Sequence, residues 1–156
     1  MVEVTVKCNL DNIPDELKEF NKWVGWKSTK FPINVRIGNK AEVDNPDTWS
    51  PFETVKKAVL SGKYKGAGFV LTEDDPYVII DLDHVIDLET GEILPWAQAI
   101  IDQMNSYTEV SQSGTGIHII IKGKKPGDKC KHGQVEIYDH KRYFALTGNL
   151  WGGRHD

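Results

Sequence analysis

Cysteine is scarce: 156 residues contain two, Cys8 and Cys130, far apart and without a CxxC pair. That spacing excludes a disulfide framework and a multi-thiolate zinc site, and fits a reducing cytoplasm, where we expect the protein to reside. No apolar run is long enough to span a bilayer, and the opening MVEVTVKCNL lacks a signal-peptide pattern. No membrane partner is therefore expected. An excess of basic charge is also missing. The net charge is −4, unlike that of a general nucleic-acid coat protein. The GxxxxGK[ST] loop is absent, which excludes a P-loop ATPase, and the histidine of HII (118–120) lacks the second histidine of a rolling-circle nicking enzyme.

What remains is the composition of a globular domain, 39% apolar and 27% charged, long enough to bury a core. No repeat, low-complexity tract or linker divides it, so residues 1–156 read as one domain. IPDELKEFNKW (13–23) predicts a short helix with Pro14 and acidic residues in its first turn. WVGWK (23–27) predicts a strand, and 28–49 a loop punctuated by Pro32, Gly38 and Pro46. Asp47 or Thr48 is placed to cap a helix over 50–61. GAGFVLT (66–72) and YVIIDLDHV (77–85) read most simply as a hairpin, followed by an ETGE turn and a helix from Pro95. Strands are expected over 107–112, 116–123, 134–139 and 142–149. Trp23, Trp26, Phe31 and Trp49 are read as core and loop anchors rather than base-stacking platforms.

The chemistry emerges from strand parity. Side chains alternate faces along a strand, so Asp81 and Asp83 share a face opposite Val78, Ile80 and Leu82. By the same rule His118 lies opposite Ile117, Ile119 and Ile121, and Glu136 lies opposite Val135 and Ile137. If the three strands share a sheet, Asp81, Asp83, His118 and Glu136 project from one side, with helices covering the other. Three converging carboxylates repel one another unless a cation sits among them. Their all-oxygen donor set suits Mg²⁺ or Mn²⁺, with open positions for substrate phosphates and room for two ions. A calcium loop starting at Asp81 fails, because its fifth and sixth positions are Val85 and Ile86.

SQSGTGIH (111–118) offers backbone N–H groups and hydroxyls that suit a phosphate cradle, with His118 as a further donor; as a plain hairpin turn it needs no ligand. Arg142, six residues after Glu136, is either an exposed surface arginine or a group reaching back to a bound triphosphate. The run KGKKPGDKCKH (122–132), with Lys122, Lys124, Lys125, Lys129 and Lys131, tracks a nucleic-acid backbone or forms a solvated loop.

Taken in order, VIIDLD, SGTGIH and VEIY…RYF…TGN resemble the three motifs of the archaeo-eukaryotic primase superfamily: hhhDhD/E, small-x-His and h-Asp/Glu, where h is hydrophobic. The resemblance runs from about Trp23 to Asn149 and is nearest to the primase–polymerase domains of phage and plasmid replication proteins. It implies an α/β (α+β) fold: an RRM-like, largely antiparallel sheet carrying the acidic site, helices on the opposite face, and a small N-terminal α/β unit. It further implies template-directed transfer of a nucleotide from a dNTP or NTP to a primer 3′-OH or an initiating nucleotide, on a single-stranded DNA template. Asp81, Asp83 and Glu136 would hold two Mg²⁺ or Mn²⁺ ions. Ser111, Ser113, Gly114, Thr115, Gly116 and His118 would bind the nucleotide, and Arg142 its triphosphate. A helicase domain is expected in the same polypeptide or replisome, with this chain as the N-terminal part of a larger replication protein. The competing readings are a metal-dependent nuclease and a non-catalytic nucleotide- or primer-binding module.

Overall fold

The computed structural model describes residues 8–123, 131–140 and 142–152. Among the described residues, ten strands and three α-helices are arranged in chain order as α1 (Asp15–Lys18), β1 (Trp23–Trp26), β2 (Pro32–Asn34), β3 (Asn39–Lys40), α2 (Phe52–Leu60), β4 (Gly66–Leu71), β5 (Tyr77–Leu82), α3 (Pro95–Met104), β6 (Tyr107–Val110), β7 (Ile117–Lys122), β8 (Lys131–His132), β9 (Val135–Tyr138) and β10 (Arg142–Leu146). They build two antiparallel five-stranded sheets, in the orders β10-β4-β1-β2-β3 and β6-β7-β5-β9-β8. This is the mixed α+β architecture expected. Among the described residues no helix is long and apolar enough to cross a membrane.

Several local expectations are corrected. β4 and β5 do not form a hairpin. Both edges of β4 are taken by β1 and β10, and both edges of β5 by β7 and β9, so neither has backbone groups left for the other. The connection instead carries the chain from one sheet to the next. Asp75 fixes it by pairing with Lys22 and accepting the Thr72 N–H at 2.8 Å. The first helix is only one turn, because the chain must leave it early for Trp23 to enter β1; the Trp23 indole donates back to the Leu17 carbonyl at 3.1 Å. The 28–49 segment contains the β2–β3 hairpin. Its connection is tied down by Arg36, whose guanidinium donates to Ser50 Oγ at 3.1 Å and to the Trp49 carbonyl at 3.0 Å. Neither Asp47 nor Thr48 caps α2. Pro51 occupies the N-cap without a side-chain bond, and Asn45 caps a separate 3₁₀ turn over Pro46–Thr48.

The apolar face predicted for β5 and β7 packs as expected under α3, where Ile80, Leu82, Ile117 and Ile119 meet Ala97 and Ile101. The opposite face has two uses. Ile79, Tyr107 and Ile120 join Trp23, Phe52, Phe69, Phe144 and Leu146 in a core shared with the first sheet. The end carrying the polar residues is only partly covered: Asp81 and Asp83 are half-buried, while His118 lies against Phe144. Trp23, Trp26 and Trp49 are buried, as read from the sequence. Phe31 is not an anchor: it is 60% exposed, in a turn closed by its own N–H to the Ser28 carbonyl at 3.1 Å.

The segment after β10 locks the two ends of the fold together. The Asn9 N–H donates to the Thr147 carbonyl at 2.6 Å, and Gly148 lies against the same backbone with φ at +72°. A Cβ at Gly148 would stand 1.9 Å from the Asn9 carbonyl oxygen, so both space and backbone conformation demand glycine. Gly148→Ala is expected to cost about 2 kcal/mol or more, read as a fall in melting temperature of roughly 4–8 °C.

Candidate active site

The registers of the second sheet place four polar residues in a single cross-strand row. Glu109 on β6 faces His118 on β7, His118 faces Asp81 on β5, and Asp81 faces Glu136 on β9. Directly opposed residues in an antiparallel sheet share a face, so all four project together. Three belong to the set read from sequence. Glu109 does not, although the parity of YTEV places it on the same side as Tyr107 and opposite Thr108 and Val110, and would have found it.

His118 is buried and held from both sides, with Nδ1 at 3.0 Å from Glu109 Oε2 and Nε2 at 3.7 Å from Asp81 Oδ1. The Phe144 ring meets it edge-on at 5.8 Å. Burial alone would depress the imidazole. The Glu109 hydrogen bond and charge, with Asp81 and Asp83, more than offset this and set it above the usual histidine range. Asp81 is also held above the ordinary carboxylate range. Burial is the largest cause and the charges of Asp83 and Glu136 add to it, against the opposing pull of His118 and Arg142.

Asp83 lies just past β5, its N–H bonded to the Gln134 carbonyl at 2.9 Å. His84 follows in the left-handed region, φ 53°, so the chain turns away immediately after the second aspartate. Glu136 accepts a hydrogen bond from the Tyr138 hydroxyl. Burial, then the Glu136 bond, pushes that phenol up to about 12. Arg142 enters from the first sheet, with its guanidinium carbon 4.4 Å over the Tyr138 ring. It is exposed, yet close enough to act on Asp81. Among the described residues no three His, Cys, Asp or Glu side chains are gathered closely enough to hold an ion as placed.

The Ser/Gly turn borders this row. Ser111 Oγ lies 3.0 Å from Ser113 Oγ, which lies 2.9 Å from Thr115 Oγ1, giving a chain of three hydroxyls from buried Ser111 through exposed Ser113 to half-buried Thr115. Gly114, with φ +81°, makes the turn. At Gly116 a Cβ would stand 2.9 Å from Ser111 Oγ and 3.0 Å from the Leu82 carbonyl. The Gly116 N–H donates to that same Ser111 hydroxyl at 3.1 Å. Glycine at 116 therefore leaves room for the Ser111 hydroxyl, which comes from the residue just past β6.

Of the lysines in the basic run, Lys122 alone has a described side chain. Lys122 sits four residues along β7 from His118 and is paired with Glu16 at 2.8 Å. Lys124, Lys125 and Lys129 lie outside the described residues. The Lys131 backbone continues the row opposite Glu136, but its side chain likewise lies outside them.

No family model matches the chain. Over 150 residues, 90% of its length, it is 37% identical to a DNA primase-polymerase of Nitratiruptor phage NrS-1. The chain belongs with the primase–polymerase domains. It spans 21% of the length of that relative. In this primase–polymerase domain Asp81, His118 and Glu136 stand opposite one another on one sheet, and Asp83 follows just past β5.

The raised Asp81 carboxyl has a sign that can be checked. The folded state binds the Asp81 proton more tightly than the unfolded chain, so ionised Asp81 lowers stability at neutral pH. That cost disappears as pH falls through the raised folded value towards the unfolded one, about 3.9. In EDTA, Asp81→Asn should therefore melt higher than wild type at neutral pH, roughly 2–4 °C for each 1 kcal/mol gained. The gain should shrink on acidification, as measured by thermal melts across pH. A structurally paired aspartate would give a loss at neutral pH instead.

Proposed function

We propose that this domain is a template-directed nucleotidyltransferase, a DNA polymerase and primase core. The observation that carries the reading is the row His118–Asp81–Glu136, with the hydroxyl turn on one flank and Arg142 on the other. In the reaction a 3′-oxygen attacks the α-phosphorus of a dNTP or NTP, a P–O bond forms, and pyrophosphate leaves with its bond electrons; the 3′-hydroxyl proton passes to solvent. Asp81, Asp83 and Glu136 would hold two Mg²⁺ or Mn²⁺ ions, a donor set whose chemistry suits hard divalent cations. Such ions supply charge neutralisation at the attacking and leaving oxygens. His118 and the Ser111, Ser113, Gly114, Thr115 and Gly116 turn bind the phosphates as donors, and Arg142 meets the triphosphate as a fixed cation. Apolar packing around the row, from Phe144 and Ile120, limits water and strengthens these contacts.

The template has a candidate path beside Arg142. A cleft of about 570 Å³ is lined by Lys30, Lys40, Arg142 and Tyr143 together with one carboxylate, Glu42, and has the exposed Phe31 in the same loop. The Tyr143 hydroxyl donates to the Thr29 carbonyl and fixes that wall. Spaced cations next to an exposed aromatic ring suit a single strand, whose phosphates and base faces they can meet. By likeness to its family the domain would work in the cytoplasm of a host cell, joined to or beside a helicase.

Extension of a labelled primer on a template with Mn²⁺ and dNTPs tests the reading. Polymerisation lengthens the strand, whereas a nuclease shortens it and a binding module leaves it unchanged. Asp81→Ala and Asp83→Ala should each abolish extension while the domain stays folded by circular dichroism; wild-type-like extension by either removes the two-ion mechanism. For the cleft, fluorescence anisotropy with a single-stranded oligonucleotide is decisive. The Lys30→Ala/Lys40→Ala pair should weaken binding and flatten the plot of log K against log salt by about 1.4, near 0.7 per phosphate contact. Phe31→Ala should weaken it by about 1–3 kcal/mol with no change in slope.

A further inference from the structure

Glu109 has no solvent exposure, and the reaction outlined above gives it no task. Its two oxygens take part in four hydrogen bonds. Oε1 takes the Tyr107 hydroxyl at 2.8 Å and the Gly148 N–H at 3.0 Å. Oε2 takes the Thr147 N–H at 2.9 Å and faces His118 Nδ1 at 3.0 Å. A backbone N–H can only donate, so two of these partners oblige Glu109 to remain an acceptor. The Nδ1 that faces it must then carry its hydrogen, which leaves Nε2 as the nitrogen directed to the acidic end, 3.7 Å from Asp81 Oδ1.

We propose that Glu109 is the positioning residue for His118. It fixes the ring's orientation by accepting from Nδ1–H, so that Nε2 faces the acidic end, where it donates to the nucleotide phosphates when the ring carries both hydrogens. The same carboxylate ties the ring to the Thr147–Gly148 backbone beyond β10. The inference rests on reading His118 as a phosphate contact. A carboxylate that only clasped the Thr147–Gly148 turn would stabilise the fold and leave the function of His118 independent of it.

A double-mutant cycle on nucleotide incorporation separates these roles. With Mn²⁺, primer and template, kcat and KM for dNTP are measured for wild type, Glu109→Gln, His118→Ala and the pair. Outer partners of metal-ligating histidines typically contribute about 10–100-fold, and a carboxylate that orients a phosphate-binding imidazole acts in the same way. Glu109→Gln should lower kcat/KM by that order, chiefly through KM. In the His118→Ala background the same change should cost less than about twofold, because residues acting through one another are non-additive. Full, multiplicative loss in the pair would overturn the proposal. If Glu109→Gln does not fold, ¹⁵N spectra of the His118 ring in the wild-type domain decide. A protonated Nδ1 supports the proposal and an unprotonated Nδ1 overturns it. A wild type that incorporates no nucleotide would sink the reaction itself, and the nitrogen spectra would then judge the positioning alone.

Discussion

The register of β5 between β7 and β9 is the constraint on which the site depends. Asp81 is paired at once with His118 and Glu136, so one strand sets the position of both neighbours. Side chains alternate with a period of two, and a slip by one residue would turn Asp81 into the α3 core and expose Ile80 or Leu82. Burial of Ile80, Leu82, Ile117 and Ile119 against α3 opposes that slip, so the apolar face of the sheet enforces the geometry of the polar one.

The second requirement is that two sheets meet at the row. β10 follows β9 in sequence but pairs with β4, so the chain leaves the acidic sheet immediately after supplying Glu136. That crossing brings Arg142 over Tyr138 and Phe144 against His118. Cation and carboxylates thus come from different sheets, joined by the aromatic core around Trp23, Phe69 and Tyr77. Anything that loosens this core would also separate Arg142 from Asp81.

Much of this was legible in the chain. Alternation placed Asp81, His118 and Glu136 on a common side because each sits in a strand with one strictly apolar face, and the pairing bears that out. The helix from Pro95 and the strand at WVGWK were readable for similar reasons of pattern. What escaped was non-local. GAGFVL and YVIIDL look like hairpin partners, since both are short and separated by a turn; that their edges are claimed by β1, β10, β7 and β9 is a property of distant sequence. For Glu109 strand parity gives the face but not the role, because one acid in a short strand carries no motif and its partners Thr147 and Gly148 lie nearly forty residues away. The β2–β3 hairpin was hidden by its length of two to three residues per strand and by polar, exposed β3.

The residues after β10 have a consequence for behaviour in concentrated solution. β6 is the outermost strand on its side of the second sheet and would present unpaired backbone groups to other chains. Instead the Val110 N–H donates to the Asn149 carbonyl at 2.7 Å, the Trp151 N–H donates to the Thr108 carbonyl at 3.0 Å, and Leu150 bridges to Glu109. The Trp151 indole adds a bond to Gln98 on α3 at 3.0 Å. This short stretch is a hem on the sheet. A chain trimmed at Leu146 would leave that border open to strand addition by its own copies, and self-association would compete with folding.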